Sequence, residues 1–229
     1  MKKIFQAAGC TLFTLALLLG LLSGIILAVA GNASYMNSMF LRHADPNITG
    51  VDVQEYPGLS EKITAYMLGK ADTFQTTLLV HGQTREAFSE KELLHMQDVR
   101  NLFALCRSIL LFCALIVIIC LAMSLFRFRP MLVSLARGYV RVSLFAAVLG
   151  SILAIWSAID FLSLFRLFHR LFFTNDLWLL NPKQDLLLQL MPTSFFVGYA
   201  ATIGLFWLLG AALFFISAIL YLKRRKKQA

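Results

Sequence analysis

Four histidines occur in the chain, and two of them, His95 and His169, sit among groups that can work with an imidazole. Imidazole titrates near neutral pH and serves as either general base or general acid. Asp98 follows His95 at i+3, on the same face if the segment is helical, and Arg100 lies close by. Asn175 and Asp176 follow His169, where a carboxylate or amide could hold one tautomer of the ring or steady an imidazolium. Around the second histidine stand the apolar side chains Phe165, Phe168, Phe172, Phe173, Leu177 and Trp178. On pattern alone, an aromatic belt at a membrane–water interface is the simpler account of the same rings. His43 and His81 read as surface or packed residues.

Metal and redox chemistry have little support. Cys10, Cys106, Cys113 and Cys120 form no CxxC and imply no disulfide framework. The last three recur every seven residues and read as small packing residues.

The elements that must position the histidines are legible on both sides. In FSEKELLHMQDVRNLF, Ser89 and Glu92 form a capping box, which predicts a helix from about Glu90 running without a break into an apolar span. His95 then sits on a rigid stem. After the third apolar run, Asp160, Ser163, Arg166, His169 and Arg170 fall on one half of a helical wheel, with phenylalanines and leucines on the other. That predicts an interfacial amphipathic segment with His169 at the edge of its polar arc.

The chain has 229 residues, of which 59% are hydrophobic, with a mean hydropathy of +0.74, so lipid is its solvent. Residues 4–30, 108–126, 142–159 and 195–222 are long and apolar enough to span a bilayer. With the N-terminus inside, eleven Lys and Arg and no acid fall on the inner side, and all 12 acids fall outside. The positive-inside rule therefore predicts an N-in, C-in protein. The net charge of +9 reflects this topology and a basic tail against anionic headgroups, and no nucleic-acid partner. The first run is too long for a signal-peptide core and reads as a retained anchor. Gly20, Gly24 and Ala28 in the first span, and Ala146, Gly150, Ala154 and Ala158 in the third, read as helix-packing stripes.

These observations predict a mainly α membrane protein with a small α+β extracytoplasmic cap. The order is a first transmembrane helix (1–30), the cap (31–101), a second span (102–126), a cytoplasmic loop (127–141), a third span (142–160), the interfacial segment (161–194), a fourth span (195–222) and a basic tail (223–229). Within the cap, Pro57-Gly58 reads as a turn, Ser60 as the N-cap of a helix to Leu68, and residues 74–80 as a strand closed by His81-Gly82. The cap is too short for a large core of its own and should rest on the helix ends.

The segment ELLHMQDVR, from Glu92 to Arg100, together with FHRLFFTNDLWLLNPKQDLLLQLMP, from Phe168 to Pro192, resembles the two motifs of the bacterial lipoprotein intramolecular transacylase family. The number of helices, the outer cap and the order of the motifs agree along essentially the whole chain. The resemblance implies transfer of the sn-2 acyl chain of a diacylglyceryl-modified lipoprotein to the α-amino group of its own N-terminal cysteine. The product is the N-acyl, S-monoacylglyceryl form.

The family's two catalytic histidines map onto His95 and His169. Asp98, Arg100, Phe168, Phe172, Phe173, Asn175, Asp176 and Trp178 become candidates for orienting the imidazoles, stabilising an oxyanion or walling the pocket. Two histidines suffice for this chemistry without metal, nucleotide or other cofactor, and the partners are diacylglyceryl lipoproteins and membrane lipids. Two other classes stand beside it. A non-enzymatic assembly protein would act through its outer cap. A transporter would need ionisable groups deep in the spans, which the sequence lacks.

Overall fold

In lipid a backbone must satisfy its own hydrogen bonds, and the apolar runs do so as uninterrupted helices. In the computed structural model, which describes residues 2–126 and 129–227, these are α1 (Lys2–Ala30), α5 (Glu90–Phe126), α6 (Arg129–Ile159) and α9 (Thr193–Lys227). All four are long and apolar enough to cross a membrane. Met1, Arg127 and the tail residues Gln228 and Ala229 lie outside the described residues. The expected loop over 127–141 is corrected, because the chain is helical from Arg129 onward. Its arginines end the apolar window but are good helix formers, and Pro130 sits in the first turn, where no N–H is needed.

Between α1 and α5 come α2 (Ala33–His43), α3 (Pro46–Thr49), α4 (Tyr56–Met67) and a hairpin of β1 (Thr77–Val80) and β2 (Gln83–Glu86). Beyond α6 come α7 (Phe161–Phe172) and α8 (Leu186–Leu190). By internal packing the chain divides into two units. One comprises residues 1–25, 107–159 and 204–229, the other residues 26–106 and 160–203.

The first unit is held by close helix approach. A Cβ added at Gly20 would lie 3.1 Å from that of Cys113, and one at Gly138 would lie 2.6 Å from that of Cys10. Gly20 thus serves the packing role expected of it, and two of the cysteines act as small packing residues. Trp207 Nε1 donates to Leu18 O at 3.0 Å, and the Tyr139 hydroxyl to Ala211 O at 2.9 Å.

The second unit has one apolar core, including Phe40, Tyr56, Ile63, Phe74, Met96, Leu190 and Phe195. The cap therefore shares its core with the start of α5, with α8 and with the first turn of α9, as its short length requires. Helix α4 begins at Tyr56, a turn earlier than expected. Pro57 and Gly58 are its first-turn residues, and Ser60 is interior, donating its hydroxyl to Pro57 O at 2.8 Å.

Strand β1 starts at Thr77, later than the sequence suggests. Before it, the Gln75 side chain brackets Phe88, accepting from its N–H at 3.1 Å and donating to its carbonyl at 2.7 Å. The turn His81-Gly82 has positive φ at both residues, 50° and 77°, which matches the right-handed twist of a two-residue hairpin.

Gly50 adopts φ +65°, its carbonyl accepts from His81 N at 2.9 Å, and a Cβ there would meet the His81 ring at 2.5 Å. Gly50→Ala should therefore lower stability by roughly 2 kcal/mol, from the left-handed backbone and the clash together. Gly58→Ala, inside α4 with open space around it, should raise stability by up to about 1 kcal/mol. Thermal unfolding of both variants in detergent micelles checks the pair. Equal midpoints would contradict the assignment.

Candidate active site

The site is built from the start of α5. Ser89 N–H donates to Glu92 Oε2 at 2.6 Å, and Glu92 N–H approaches Ser89 Oγ at 3.4 Å, so the capping box forms as its spacing requires. The same carboxylate reaches further. Its Oε1 accepts the backbone N–H of Leu187, in the first turn of α8, at 2.6 Å, and Glu92 is only 2% exposed. Lys91 Nζ donates to Leu179 O at 2.5 Å, and Asn175 Nδ2 donates to Asp98 Oδ2 at 2.8 Å. Three side chains of α5 thus strap residues 173–187 against that helix.

Helix α7 is fixed at its start by Asp160, which leaves helical geometry (φ −147°, ψ 80°) and accepts Ser163 N–H at 3.0 Å. The helix carries Phe165, Phe168, His169 and Phe172, and its last N–H partner is Phe173, bonded to His169 O at 2.8 Å.

Strap and helix bring the two expected histidines together. The centroids of His95 and His169 lie 6.0 Å apart, with the rings 33° from parallel. Both are buried, at 8% and 7% exposure. Phe173 lies 5.4 Å from each imidazole. Trp178 covers His169 at 4.9 Å, Phe168 meets it edge-on at 5.4 Å, and Phe165 packs against it at 4.2 Å.

His169 Nδ1 lies 2.8 Å from Phe165 O. A carbonyl oxygen only accepts, so Nδ1 carries the proton and the Nε2 lone pair is free in the neutral ring. His95 Nδ1 is buried and has no hydrogen-bond partner among the described residues. Burial, then the neighbouring His169 and, least, Lys91 push the His95 pKa down to about 4, against an upward pull from Asp98. Burial also lowers His169, which the Phe165 carbonyl partly offsets.

The other expected residues divide. Phe168, Phe173 and Trp178 line the imidazoles, whereas Phe172 packs on Phe168 at 4.8 Å. Asp98 is bonded to Asn175 and acts on His95 only through its charge. Arg100 points away, with its guanidinium over Tyr66 at 4.8 Å and 4.0 Å from Asp72. Asp176 is exposed, and its backbone carbonyl accepts from Leu179 N.

Sequence reasoning missed Phe165 as the tautomer-setting carbonyl and Glu92 as more than a cap. Helical spacing (i−4 from His169) could have signalled the first; nothing local signals the second. Beside the pair is an open groove of about 270 Å³ lined by Asp98, Asn101, Leu102, Leu105, Phe172, Phe173, Thr174 and Asn175. Neither imidazole lines it.

This site stands in a chain whose residues 11–196 match the family described as lipoprotein intramolecular transacylase Lit. The chain belongs to that family. Curated proteins yield no match. A solved structure of the membrane-integral lipoprotein intramolecular transacylase Lit from Bacillus cereus aligns with a TM-score of 0.77 at 20% identity, covering 99% of this chain and 100% of that one. Two structures of variants of the same protein, with one histidine replaced by arginine or by alanine, each align at a TM-score of 0.71 and 19% identity. They cover 100% of this chain and 96% and 98% of theirs. At that identity the likeness carries the fold.

As a member of the transacylase family the chain is an acyltransferase and a multi-pass membrane protein, so the non-enzymatic assembly reading gives way.

Two predictions follow from this geometry. Glu92→Ala leaves the buried N–H of Leu187 without an acceptor, costing about 1–3 kcal/mol, removes the cap on Ser89 N–H as well, and should lower the unfolding midpoint more than Glu92→Gln, which keeps one acceptor. A wild-type midpoint for the alanine variant would remove the strap from the account. Second, the unfolded chain protonates His95 near pH 6.5 and the folded chain only near 4, so stability is full above 6.5 and lost as pH falls toward 4. Unfolding midpoints of wild type across that window should fall, and those of His95→Phe should fall less.

Proposed function

We propose that the enzyme moves the sn-2 acyl chain of a diacylglyceryl lipoprotein onto the α-amino group of that lipoprotein's N-terminal cysteine, using His95 and His169 as its acid/base pair. The observation that carries this reading is the meeting of two buried imidazoles 6.0 Å apart under one aromatic wall. The reaction rearranges one molecule. The amine nitrogen attacks the ester carbonyl, a C–N bond forms, the C–O bond to glyceryl carbon 2 breaks, and one proton passes from nitrogen to the departing oxygen.

A substrate α-ammonium has a pKa near 8 and must shed a proton before it attacks. The free Nε2 lone pair of His169 suits it to accept the second proton, released as the C–N bond forms. Burial and mutual repulsion favour one proton on the imidazole pair at a time, so this proton travels on to the glyceryl oxygen through His95. Amine and ester already share a molecule, so the protein's work is to hold them in attack geometry. Phe173, Trp178 and Phe168 exclude the water that would compete for the ester.

The positive-inside distribution supports an N-in, C-in topology with this site on the extracytoplasmic side, where processed lipoproteins present their N-termini.

Mass spectrometry of one lipoprotein's N-terminal lipopeptide, from a host that makes the diacylglyceryl form, tests the reaction. Wild type should yield the N-acyl, S-monoacyl form. His95→Ala and His169→Ala, present in the membrane at wild-type level, should lose about 100-fold or more in rate. Diacylglyceryl product with wild type would overturn the reading, and active alanine variants would overturn the site. With purified enzyme, kcat/KM should climb to a plateau near pH 8, following the substrate amine. His95 should add no break near 6.5, because burial and the neighbouring His169 lower it to about 4.

A further inference from the structure

The groove beside the imidazoles has no part in the two-histidine chemistry, yet its walls are graded. Asp98, Asn101, Leu102 and Leu105 fall at i, i+3, i+4 and i+7 of α5 and so form one stripe along it. Phe172, Phe173, Thr174 and Asn175 form the facing wall. The stripe runs from a carboxylate and an amide to two leucines, in the direction of the apolar stretch that begins at 108. Leu105 and Phe172 are 48% and 50% exposed, so the apolar end is open and lined by large side chains. Phe173 belongs to both places, packing on each imidazole while lining the groove.

At the polar end, Asp98 Oδ2 is occupied by Asn175, and among the described residues Oδ1 accepts no bond. Such a gradient fits an amphiphile with a cationic or polar head and one hydrocarbon tail. Pockets for whole small ligands start at about 300 Å³. At about 270 Å³ the groove takes one branch of a lipid, and not a diacylglyceryl lipopeptide entire.

We infer that the groove seats the substrate's sn-2 acyl chain along Leu102, Leu105 and Phe172, with the substrate's α-ammonium drawn to Asp98. This rests on the transacylase reading and adds to it a chain-length filter. The chain that is transferred is the one measured by the groove, and the sn-1 chain stays in the bilayer. Placing the ammonium beside Asp98 also holds it a short distance from the imidazoles, since Asp98 is one turn below His95.

The test uses full-length enzyme in micelles and synthetic diacylglyceryl lipopeptides that share one sn-1 chain and carry either a palmitoyl or a butyryl group at sn-2. Leu102→Trp and Leu105→Trp fill the groove from two positions, and an unfolding midpoint confirms that each variant is folded. The expected result is that kcat/KM for the palmitoyl substrate falls about tenfold or more in at least one folded variant, while the butyryl substrate keeps its wild-type value. Asp98→Asn should raise KM for both substrates below pH 8, and the increase should shrink above it as the amine loses its charge.

Equal losses on both substrates would overturn the inference and leave the groove to structure or to bilayer lipid. So would a discrimination that follows the sn-1 chain in a second pair of substrates. A wild type inert toward both substrates would sink the transacylase reading itself, an outcome distinct from a failure confined to the tryptophan variants.

Discussion

Everything at the site depends on one buried carboxylate with two obligations. Glu92 completes the cap of its own helix through Ser89 and, with its second oxygen, holds Leu187 of a segment that arrives 95 residues later. A carboxylate at 2% exposure is tolerable only when its oxygens are met by donors, and here both are met by backbone N–H groups at 2.6 Å. The bond to Leu187 is what returns the chain to α5. With Lys91 on Leu179 and Asp98 on Asn175, it fixes the loop that carries Phe173 and Trp178. An exposed contact such as Arg100 with Asp72, at 4.0 Å, has no comparable consequence, because water screens it and competes for both partners.

The strap sets the electrostatics as well as the geometry. Closing aromatic rings over two imidazoles removes them from water, and His169 makes protonation of His95 harder still. Protonation of either histidine is therefore disfavoured, at the cost of stability in acid. Burial alone would leave the tautomer of His169 undecided. The Phe165 carbonyl, one helical turn back, decides it, so a backbone atom does the orienting work for which Asp176 was a sequence candidate.

What was legible in the sequence was local. The Ser89–Glu92 box, the unbroken helix that follows it and the amphipathic helix before Phe173 are patterns within a few residues, and each forms. The pairing of the histidine segments was legible only as a motif resemblance, since no spacing predicts that residues 95 and 169 meet. The second strand escaped notice because Gln83–Glu86 is exposed throughout and shows no alternation. Helix α2 lies in a mixed polar stretch and is specified by the Asn32 cap, which accepts Tyr35 N–H at 2.9 Å. Arg100 was misplaced for a geometric reason: five residues past His95, it points about 140° away around the helix, toward Tyr66.

The division between what local pattern shows and what it hides follows the division of labour in the chain. Spanning is a demand on every residue of a long run, so it is written redundantly in composition and survives any single exception. A site is a demand on a few atoms, and here the two imidazoles and their aromatic cover are brought together by single hydrogen bonds between distant segments. Asp160 illustrates the join between the two. It ends one apolar helix and caps the next through Ser163, so that His169 stands on a helix whose rotation is set by that cap and by the packing of Phe165 on Phe196 at 4.9 Å. A continuous helix through residue 160 would tie the direction of His169 to the register of α6. A separate, capped helix lets the face bearing the imidazole answer to α5, where its partner and the strap are.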